Sequence, residues 1–339
     1  MRIIVLGTGH IGSVIARDLA GSLPSAKIVM ADKDQNRAQE AAARIHRENV
    51  SSAQFDVFDR SGLVNTLKGF DLVIGALPGE VGYKALEACI DAKVNMVDVS
   101  FMPENPLPLD KEAVKAGVTI IPDCGVAPGL SHILLMRGVS KLDQVQNAEI
   151  LVGGLPAKPI PPLGYTITWS VEGLIDEYTR KARIVRNGEL VEVEPLGDVE
   201  EIEFTGVGKL EAFYSDGLRT LLHTVTSAKN MAEKTLRYPG HIEKIRLLKD
   251  MGFFDEKPVQ VEKASVTPKS VAVKLLERKL KKPEVPDILA MLVRADGIKN
   301  GKRISHSFQK TYKLLLAEGI QQQEGKQEVK APKTNHLTG

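Results

Sequence analysis

Residues 2–12 read RIIVLGTGHIG, and this stretch decides the fold. Arg2 to Leu6 is a short apolar run of the kind that forms a strand buried on both faces. It runs straight into Gly7-Thr8-Gly9-His10-Ile11-Gly12, a G-x-G-x-x-G pattern. From there Ile11, Val14, Ile15 and Leu19 recur three or four residues apart, which predicts an amphipathic helix. Strand, glycine loop and helix in that order make a phosphate cradle. Gly7 permits the tight turn, Gly9 lets a pyrophosphate approach the backbone, and Gly12 lets helix and strand pack closely. The helix start then offers free N–H groups to the anion. Thr8, His10 and Ile11 fill the remaining positions of the cradle and are counted among its candidate cofactor contacts.

The glycine pattern alone is common, and the downstream sequence is what strengthens it. A second strand, KIVMAD, ends in Asp32, twenty residues after Gly12. A carboxylate at that place accepts hydrogen bonds from the ribose hydroxyls and repels a 2′-phosphate, so NAD is expected in preference to NADP. Lys33 next door pulls the other way, since it can meet such a phosphate. The alternation continues through QNRAQEAAARI, AQFDV, SGLVNTLKG, DLVIGAL, GYKALEACIDA, NMVDVS, LDKEAVKAG and VTIIPD. It predicts a parallel sheet with helices on both faces.

Ligands on such sheets lie at the carboxyl ends of the strands, near the reversal of strand order. That places Asp56, the Ala76-Leu77-Pro78 turn, Asp98 and Asp123-Cys124 around one crevice. Asp56 is expected beside the adenine, and Ala76, Leu77 and Pro78 beside the middle of the cofactor. The corner PDCGVAPG, residues 122–129, puts a carboxylate, a thiol and two glycines between a strand and a helix. Its glycines allow close approach, and Pro128-Gly129 suits a helix start. Asp123 reads either as a turn or cap residue or as an active-site acid, and its place after the last strand favours the second.

A chain of 339 residues is long for one hydrophobic core, so two domains are expected. A formal charge of +2 gives no argument for nucleic acid or an anionic membrane as partner. No apolar run reaches bilayer length. The amino terminus enters a strand pattern with no cleavage site, so a cytoplasmic protein is expected. Cys89 and Cys124 are expected to stay reduced and are too few for a cysteine-only zinc site. With no H-x-x-x-H, G-x-S-x-G or P-loop pattern, no metal site is expected.

After HILLMRGVSKLDQV the texture changes to longer strand-like pieces: NAEILVGGL, GYTITWS, ARIVRNGELVEVEPL and EEIEFTGVGKLEAFYS. Asn187-Gly188-Glu189 predicts a hairpin turn, and PAKPIPPLG, residues 156–164, a rigid loop. VEGLIDEYTRKA and SDGLRTLLHTVTSAKNMAEKTL are helix candidates, and VTPKSVAVKLLERKL is a third. In the second of these, Arg219 and His223 stand four apart, on one helical face. Arginine suits a carboxylate and histidine exchanges protons near neutral pH. Arg219, Arg237 and His223 are therefore substrate-site candidates, with structural ion pairing as the competing account. His241 is a weaker candidate. PEVPDILAMLVRADG returns to a strand, KNGKR to a hairpin turn, and no strand period is visible beyond about residue 307. IQQQEGKQEVKAPKTNHLTG reads as a polar tail.

The glycine opening, VTIIPDCGVAPGLSHIL, the block from VGGLPAKPIPPLG to ARIVRNGE, and SDGLRTLLHTV with KTLRYPGH together resemble the saccharopine dehydrogenase family, and within it the lysine 6-dehydrogenases. The likeness extends over about residues 1–305. It implies an α/β chain, with a Rossmann-type parallel-sheet NAD-binding domain at 1–130. An α+β substrate domain with a mixed sheet follows at 131–295, and a divergent carboxy-terminal segment at 296–339 that in the family returns to the first domain. It also implies NAD+-dependent oxidation of the terminal amine carbon of L-lysine or a related amino acid, with release of ammonia. Alternatives are a saccharopine or polyamine dehydrogenase, or a cofactor-binding relative without turnover. On chemistry and position, Arg219 and Arg237 are assigned to the α-carboxylate, Asp98 or Asp123 to the amine, and His223 to proton transfer. Cys124 is assigned to the wall beside the nicotinamide, and Tyr165 and Trp169 to the aliphatic part of the substrate. RISHSFQKTYKLLLAEG departs from the family's usual closing elements. Exposed sheet edges favour a homo-oligomer.

Overall fold

A computed structural model of the chain describes residues 1–314 apart from Thr168 and Pro283. The first part is a parallel six-stranded sheet in the order β3-β2-β1-β4-β5-β6. Its strands are β1 (Arg2–Leu6), β2 (Lys27–Asp32), β3 (Val50–Gln54), β4 (Leu72–Gly75), β5 (Asn95–Asp98) and β6 (Ile120–Ile121). The helices between them are α1 (His10–Ser22), α2 (Gln35–Ala43), α3 (Arg60–Leu67), α4 (Gly79–Ala92) and α5 (Asp110–Ala116). Alternate residues of β1 feed two cores. Ile3 and Val5 pack with Ala16, Ala20 and Met30 on one face, and Ile4 and Leu6 with Leu63, Leu67 and Leu86 on the other. The order reverses direction beside β1, so its carboxyl end and that of β4 open the crevice.

Helix α1 is seated differently from its apolar spacing. Its buried residues are Gly12, Ala16 and Ala20, whereas Ile11 and Val14 are exposed. The helix lies too close for larger groups: a Cβ at Gly12 would stand 1.9 Å from the Gly7 carbonyl oxygen.

α6 (Leu130–Val139) leads into the second, eight-stranded sheet. Its strands are β7 (Gln144–Pro156), β8 (Ala182–Arg186), β9 (Glu189–Val193), β10 (Glu200–Phe204), β11 (Gly208–Ser215), β12 (Asn230–Arg237), β15 (Asp287–Lys299) and β16 (Lys302–Leu314). A separate hairpin, β13 (Val259–Val261) with β14 (Ala264–Val266), completes the strands. The main path is β10-β11-β12-β7-β15-β16, with β8 on β12 and β9 on β8. Only β12 and β7 run parallel, so the sheet is mixed. The helices are α7 (Val171–Thr179), α8 (Leu221–Thr224), α9 (His241–Asp250) and α10 (Pro268–Leu280). The expected hairpins form where Asn187-Gly188 and Asn300-Gly301 take positive φ. Among the described residues no helix is long and apolar enough to cross a membrane.

Three local expectations are overturned. The long helix expected from Ser215 onward shrinks to the four residues of α8, and NMAEKTLR becomes β12. Arg219 lies before α8 with φ +50, so it shares no helical face with His223. The strand wins because β12 is paired by both β11 and β7, a tertiary gain that helix propensity does not register. Gly164 to Ser170 forms no strand where described: Thr166 donates to the Leu280 carbonyl and Ile167 N–H does the same, closing the end of α10. Residues beyond 307 remain a strand to Leu314, paired along the whole of β15. The glutamine-rich tail, residues 320–339, lies outside the described residues.

Ile150, fully buried on β7, packs with Leu135, Leu218 and Val293 between α6 and the sheet. Ile150→Ala should cost about 2–5 kcal/mol. Urea unfolding followed through the single tryptophan, Trp169, is the check, with the midpoint lowered and the slope unchanged.

Candidate active site

The glycine loop is shaped for a dinucleotide. Gly7 has φ +97, and a Cβ there would meet the Ala76 carbonyl oxygen at 2.3 Å. Gly9 differs: its backbone is extended, and the nearest atom to an added Cβ is the Arg37 guanidinium at 3.7 Å. Only the end of that flexible side chain borders Gly9, so a pyrophosphate can approach, and no side chain caps the first turn of α1. Asp32 is tied to this loop. Its carboxylate accepts from Thr8 N–H (3.0 Å), the Thr8 hydroxyl (2.7 Å) and Asp34 N–H (3.2 Å). Burial pushes Asp32 up, but these donors outweigh it and hold the carboxyl below its ordinary range. Lys33 and Asp56 are exposed, Ala76 and Leu77 are half-buried, and Pro78 is exposed at the start of α4. The residues present therefore fit a nicotinamide dinucleotide: Gly7 to Gly12 would hold the pyrophosphate and Asp32 a ribose.

At the other end of the crevice, Asp98 is wholly buried and accepts from Ser100 N–H (3.0 Å) and the Ser100 hydroxyl (2.8 Å). Burial raises its pKa to about 7. Gly75 makes room for it, since a Cβ there would stand 2.0 Å from Asp98 Oδ1. The Asp98 carbonyl accepts from Cys124 N–H (2.8 Å), which fixes the PDCG corner, while the Cys124 side chain is exposed. Asp123 sits in the left-handed region at φ +53 with its side chain buried. Its Oδ1 accepts from Arg219 Nε at 3.3 Å, and its Oδ2 has no partner among the described residues.

Arg219 also donates to the Glu104 carbonyl (3.0 Å) and faces the Phe101 ring, 5.7 Å from its centre. Arg180 stacks on the same ring at 5.0 Å. Its Nη1 is buried without an acceptor, although the guanidinium also pairs with Asp176. Arg237 is engaged elsewhere. It pairs with Glu177 at 2.6 Å, donates to the Leu236 carbonyl and lies over Tyr165 at 4.6 Å. Tyr165 itself is core, and Trp169 packs against the same cluster. His241 is buried, facing the Leu163 carbonyl through Nδ1 and the Tyr178 hydroxyl through Nε2. Burial first, then Arg237, lowers its pKa to about 3. His223 is exposed, its Nε2 3.3 Å from Asn105 Nδ2.

The structure thus joins Asp123 with Arg219 and leaves His223 and Arg237 in separate surroundings. Sequence reading missed Arg180, and also His132, which meets the Gly217 carbonyl at 2.9 Å among the charges of Asp123 and Arg219. It missed the paired Arg183 and Asp216 (2.8 Å) and the buried Glu233. Asp216 belongs to the SDG turn that could have flagged it, but nothing local marks Glu233 within NMAEKTLR.

Two family matches cover nearly all of this architecture. Residues 3–121 match the saccharopine dehydrogenase NADP binding domain, and residues 125–332 the saccharopine dehydrogenase C-terminal domain. The chain belongs to the saccharopine dehydrogenase family. Like the family, it binds a nicotinamide dinucleotide. The second match runs on to residue 332.

The chain is 26% identical over 265 residues to the Saccharomyces cerevisiae saccharopine dehydrogenase described as NADP(+), L-glutamate-forming, covering 75% of this chain and 58% of that protein. It is 27% identical to the mitochondrial alpha-aminoadipic semialdehyde synthase of Rattus norvegicus, over 71% of this chain and 27% of that one. Carboxyaminopropylagmatine dehydrogenase of Synechocystis sp. is 22% identical, over 79% of this chain and 70% of that protein. The chain therefore spans about a quarter of the rat protein and little more than half of the yeast one. The solved apo structure of yeast L-Glu-forming saccharopine dehydrogenase superposes with a TM-score of 0.74 at 18% identity, over 93% of this chain and 86% of that one, which shows a shared fold.

Because Gly9 has an extended backbone and meets only the end of the Arg37 side chain, at contact distance, Gly9→Val should leave thermal stability within about 2 °C. It should weaken dinucleotide binding at least about tenfold, read by calorimetric titration. Asp98 holds its proton more tightly folded than unfolded, so its contribution to stability is full below about pH 4 and is lost as pH rises towards about 7. Asp98→Asn should flatten that part of the melting-temperature profile, whereas an unchanged slope would mean that Asp98 titrates at its ordinary value.

Proposed function

We propose that this chain is an NAD(P)-dependent oxidoreductase acting at a carbon–nitrogen bond of an amino-acid-type substrate. The supporting observation is the Asp123–Arg219 pair at the carboxyl end of the cofactor-binding sheet, beside a second guanidinium, Arg180, with a buried unmatched donor. A carboxylate needs such donors, and an amine N–H needs an acceptor such as Asp123 Oδ2.

The reaction we infer takes a secondary or primary amine, R–CH2–NH–R′, with NAD(P)+ and one water, to the aldehyde R–CHO, the free amine R′–NH2, NAD(P)H and one proton. Bound nicotinamide supplies the hydride acceptor. Arg180 and Arg219, which share the Phe101 ring, hold the substrate carboxylate; this replaces Arg237, which lies over Tyr165 and Phe213 instead. Asp123 orients the amine. Asp98, with its pKa raised to about 7, exchanges the proton through Ser100. His223, exposed beside Asn105, takes no part in this scheme.

The leading reading has R′ as an amino-acid skeleton, a secondary amine of the saccharopine type. Support comes from the relatives, two described as saccharopine or carboxyaminopropylagmatine dehydrogenases. The second reading has R′ as hydrogen: oxidation of the terminal amine of L-lysine with release of ammonia, supported by the motif blocks from Val152 to Glu189 and from Lys234 to His241. On the cofactor we infer a preference for NAD, because Asp32 is held ionised where a 2′-phosphate would lie.

The test is a panel of saccharopine, carboxyaminopropylagmatine and L-lysine with NAD+ or NADP+, following reduced cofactor and identifying products by mass. Release of an amino acid or amine from a secondary amine supports the first reading, and ammonia from L-lysine the second. Reduced cofactor with none of them overturns both. Arg180→Ala should raise KM about 10- to 100-fold with a smaller change in kcat, as expected for a lost charged hydrogen bond.

A further inference from the structure

Of four acidic side chains, Asp123, Glu177, Asp216 and Glu233, the last senses the charge of the other three. Three have an arginine each. Asp123 pairs with Arg219 at 3.3 Å, Asp216 with Arg183 at 2.8 Å, and Glu177 with Arg237 at 2.6 Å. Glu233 has none. Only 3% of the residue is exposed, its Oε2 is buried without a partner, and no donor among the described residues serves the carboxyl group. A buried carboxyl group left without a partner is costly, so its retention calls for a reason.

The backbone of β12 explains why its own lysine does not reach Glu233. Met231, Glu233, Thr235 and Arg237 alternate onto one face of β12. Lys234 therefore faces the other way, where it meets Glu149 and Glu200. Gly217 shapes the place that Glu233 occupies: a Cβ at Gly217 would stand 1.6 Å from Glu233 Oε1. The Gly217 carbonyl in turn meets His132, which lies among the charges of Asp123 and Arg219. Glu233 thus adjoins the corner where the reacting amine is placed. Burial, with the neighbouring acids, raises its pKa to about 8, as expected of an acid that has no cation beside it.

We propose that Glu233 is the recognition point for a cationic alkylammonium group of the substrate other than the reacting amine, so that the ligand completes the fourth ion pair. The inference rests on the amine-dehydrogenase reading above and narrows its substrates to diamino acids and related polyamines.

Calorimetric titration of the full chain, saturated with oxidised cofactor, with L-lysine and with 6-aminohexanoate tests it. These ligands share the carboxylate and terminal amine and differ in the α-ammonium group. Wild type should bind L-lysine more tightly by at least about tenfold, the size of one charge-assisted hydrogen bond. Glu233→Gln should remove that advantage and leave 6-aminohexanoate within about twofold, with cofactor affinity unchanged. Glu233→Asp, which keeps the charge, should retain part of it, and serves with the wild-type comparison if the Gln variant does not fold. Equal loss for both ligands, no loss, or a wild type that does not favour L-lysine overturns the proposal. Binding is read without turnover, so the two ideas fail separately. Lysine preference that depends on Glu233, with no hydride transfer from any amine, removes only the dehydrogenase reading; turnover indifferent to Glu233 removes only this inference.

Discussion

Asp123 and Arg219 stand 96 residues apart in the chain and meet in one ion pair with both side chains almost wholly out of water. The rest of the site depends on that contact. Asp123 ends the cofactor-binding sheet, and Arg219 lies in the turn between β11 and α8, so the pair fixes the crevice edge to the second sheet. Both residues have positive φ, +53 and +50, a conformation that costs of order 1 kcal/mol or more for a side chain with a Cβ. Removing one partner of such a pair typically costs about 3–5 kcal/mol, because the other charge stays buried.

Around this contact, charge is arranged by pairing, with each arginine directed by its acid. Arg219 is turned towards Phe101 by Asp123 and the Glu104 carbonyl, and Arg183 is held by Asp216 through two of its nitrogens. Arg237 is drawn into the core by Glu177 and the rings of Tyr165 and Phe213. Guanidinium groups suit this work because their fork geometry and weak hydration tolerate burial beside carboxylates and aromatic faces. Which arginine remains available to a ligand is then a question of partners and of exposure. By partners the two are alike, each with one acid and one buried nitrogen unmatched, and Arg180 is the more available because its side chain is 25% exposed against 2% for Arg237.

The cofactor side is governed by small residues. Gly7, Gly12 and Gly75 each stand where a side chain would collide with a backbone oxygen or with Asp98. Gly9 is the exception, bordered only by the end of the flexible Arg37 side chain, and it is the one whose surface a ligand must reach. Close packing of α1 on β1 through Gly12, Ala16 and Ala20 brings the start of the helix to the strand end, which is what an anion at that place requires.

The first sheet was legible in the sequence because every element in it carries a local signal. RIIVL, KIVMAD and DLVIGAL are short apolar runs, the glycines mark the turn, and the strand ends follow from the alternation of elements. The second sheet was legible only in part: the hairpins at Asn187-Gly188 and Asn300-Gly301 were visible in their turn residues. NMAEKTLR and RISHSFQKTYKL were not, because pairing with distant strands decided them against their local pattern. The same division holds in the site. Asp32, Asp98 and Asp123 are marked by ending strands, so chain order alone placed them at the crevice. Whether Arg219 or Arg237 faces it, and whether Glu233 has a partner, turns on which side chains long-range folding brings within a few ångströms, since ion pairing acts over that range and carries no signature in neighbouring residues.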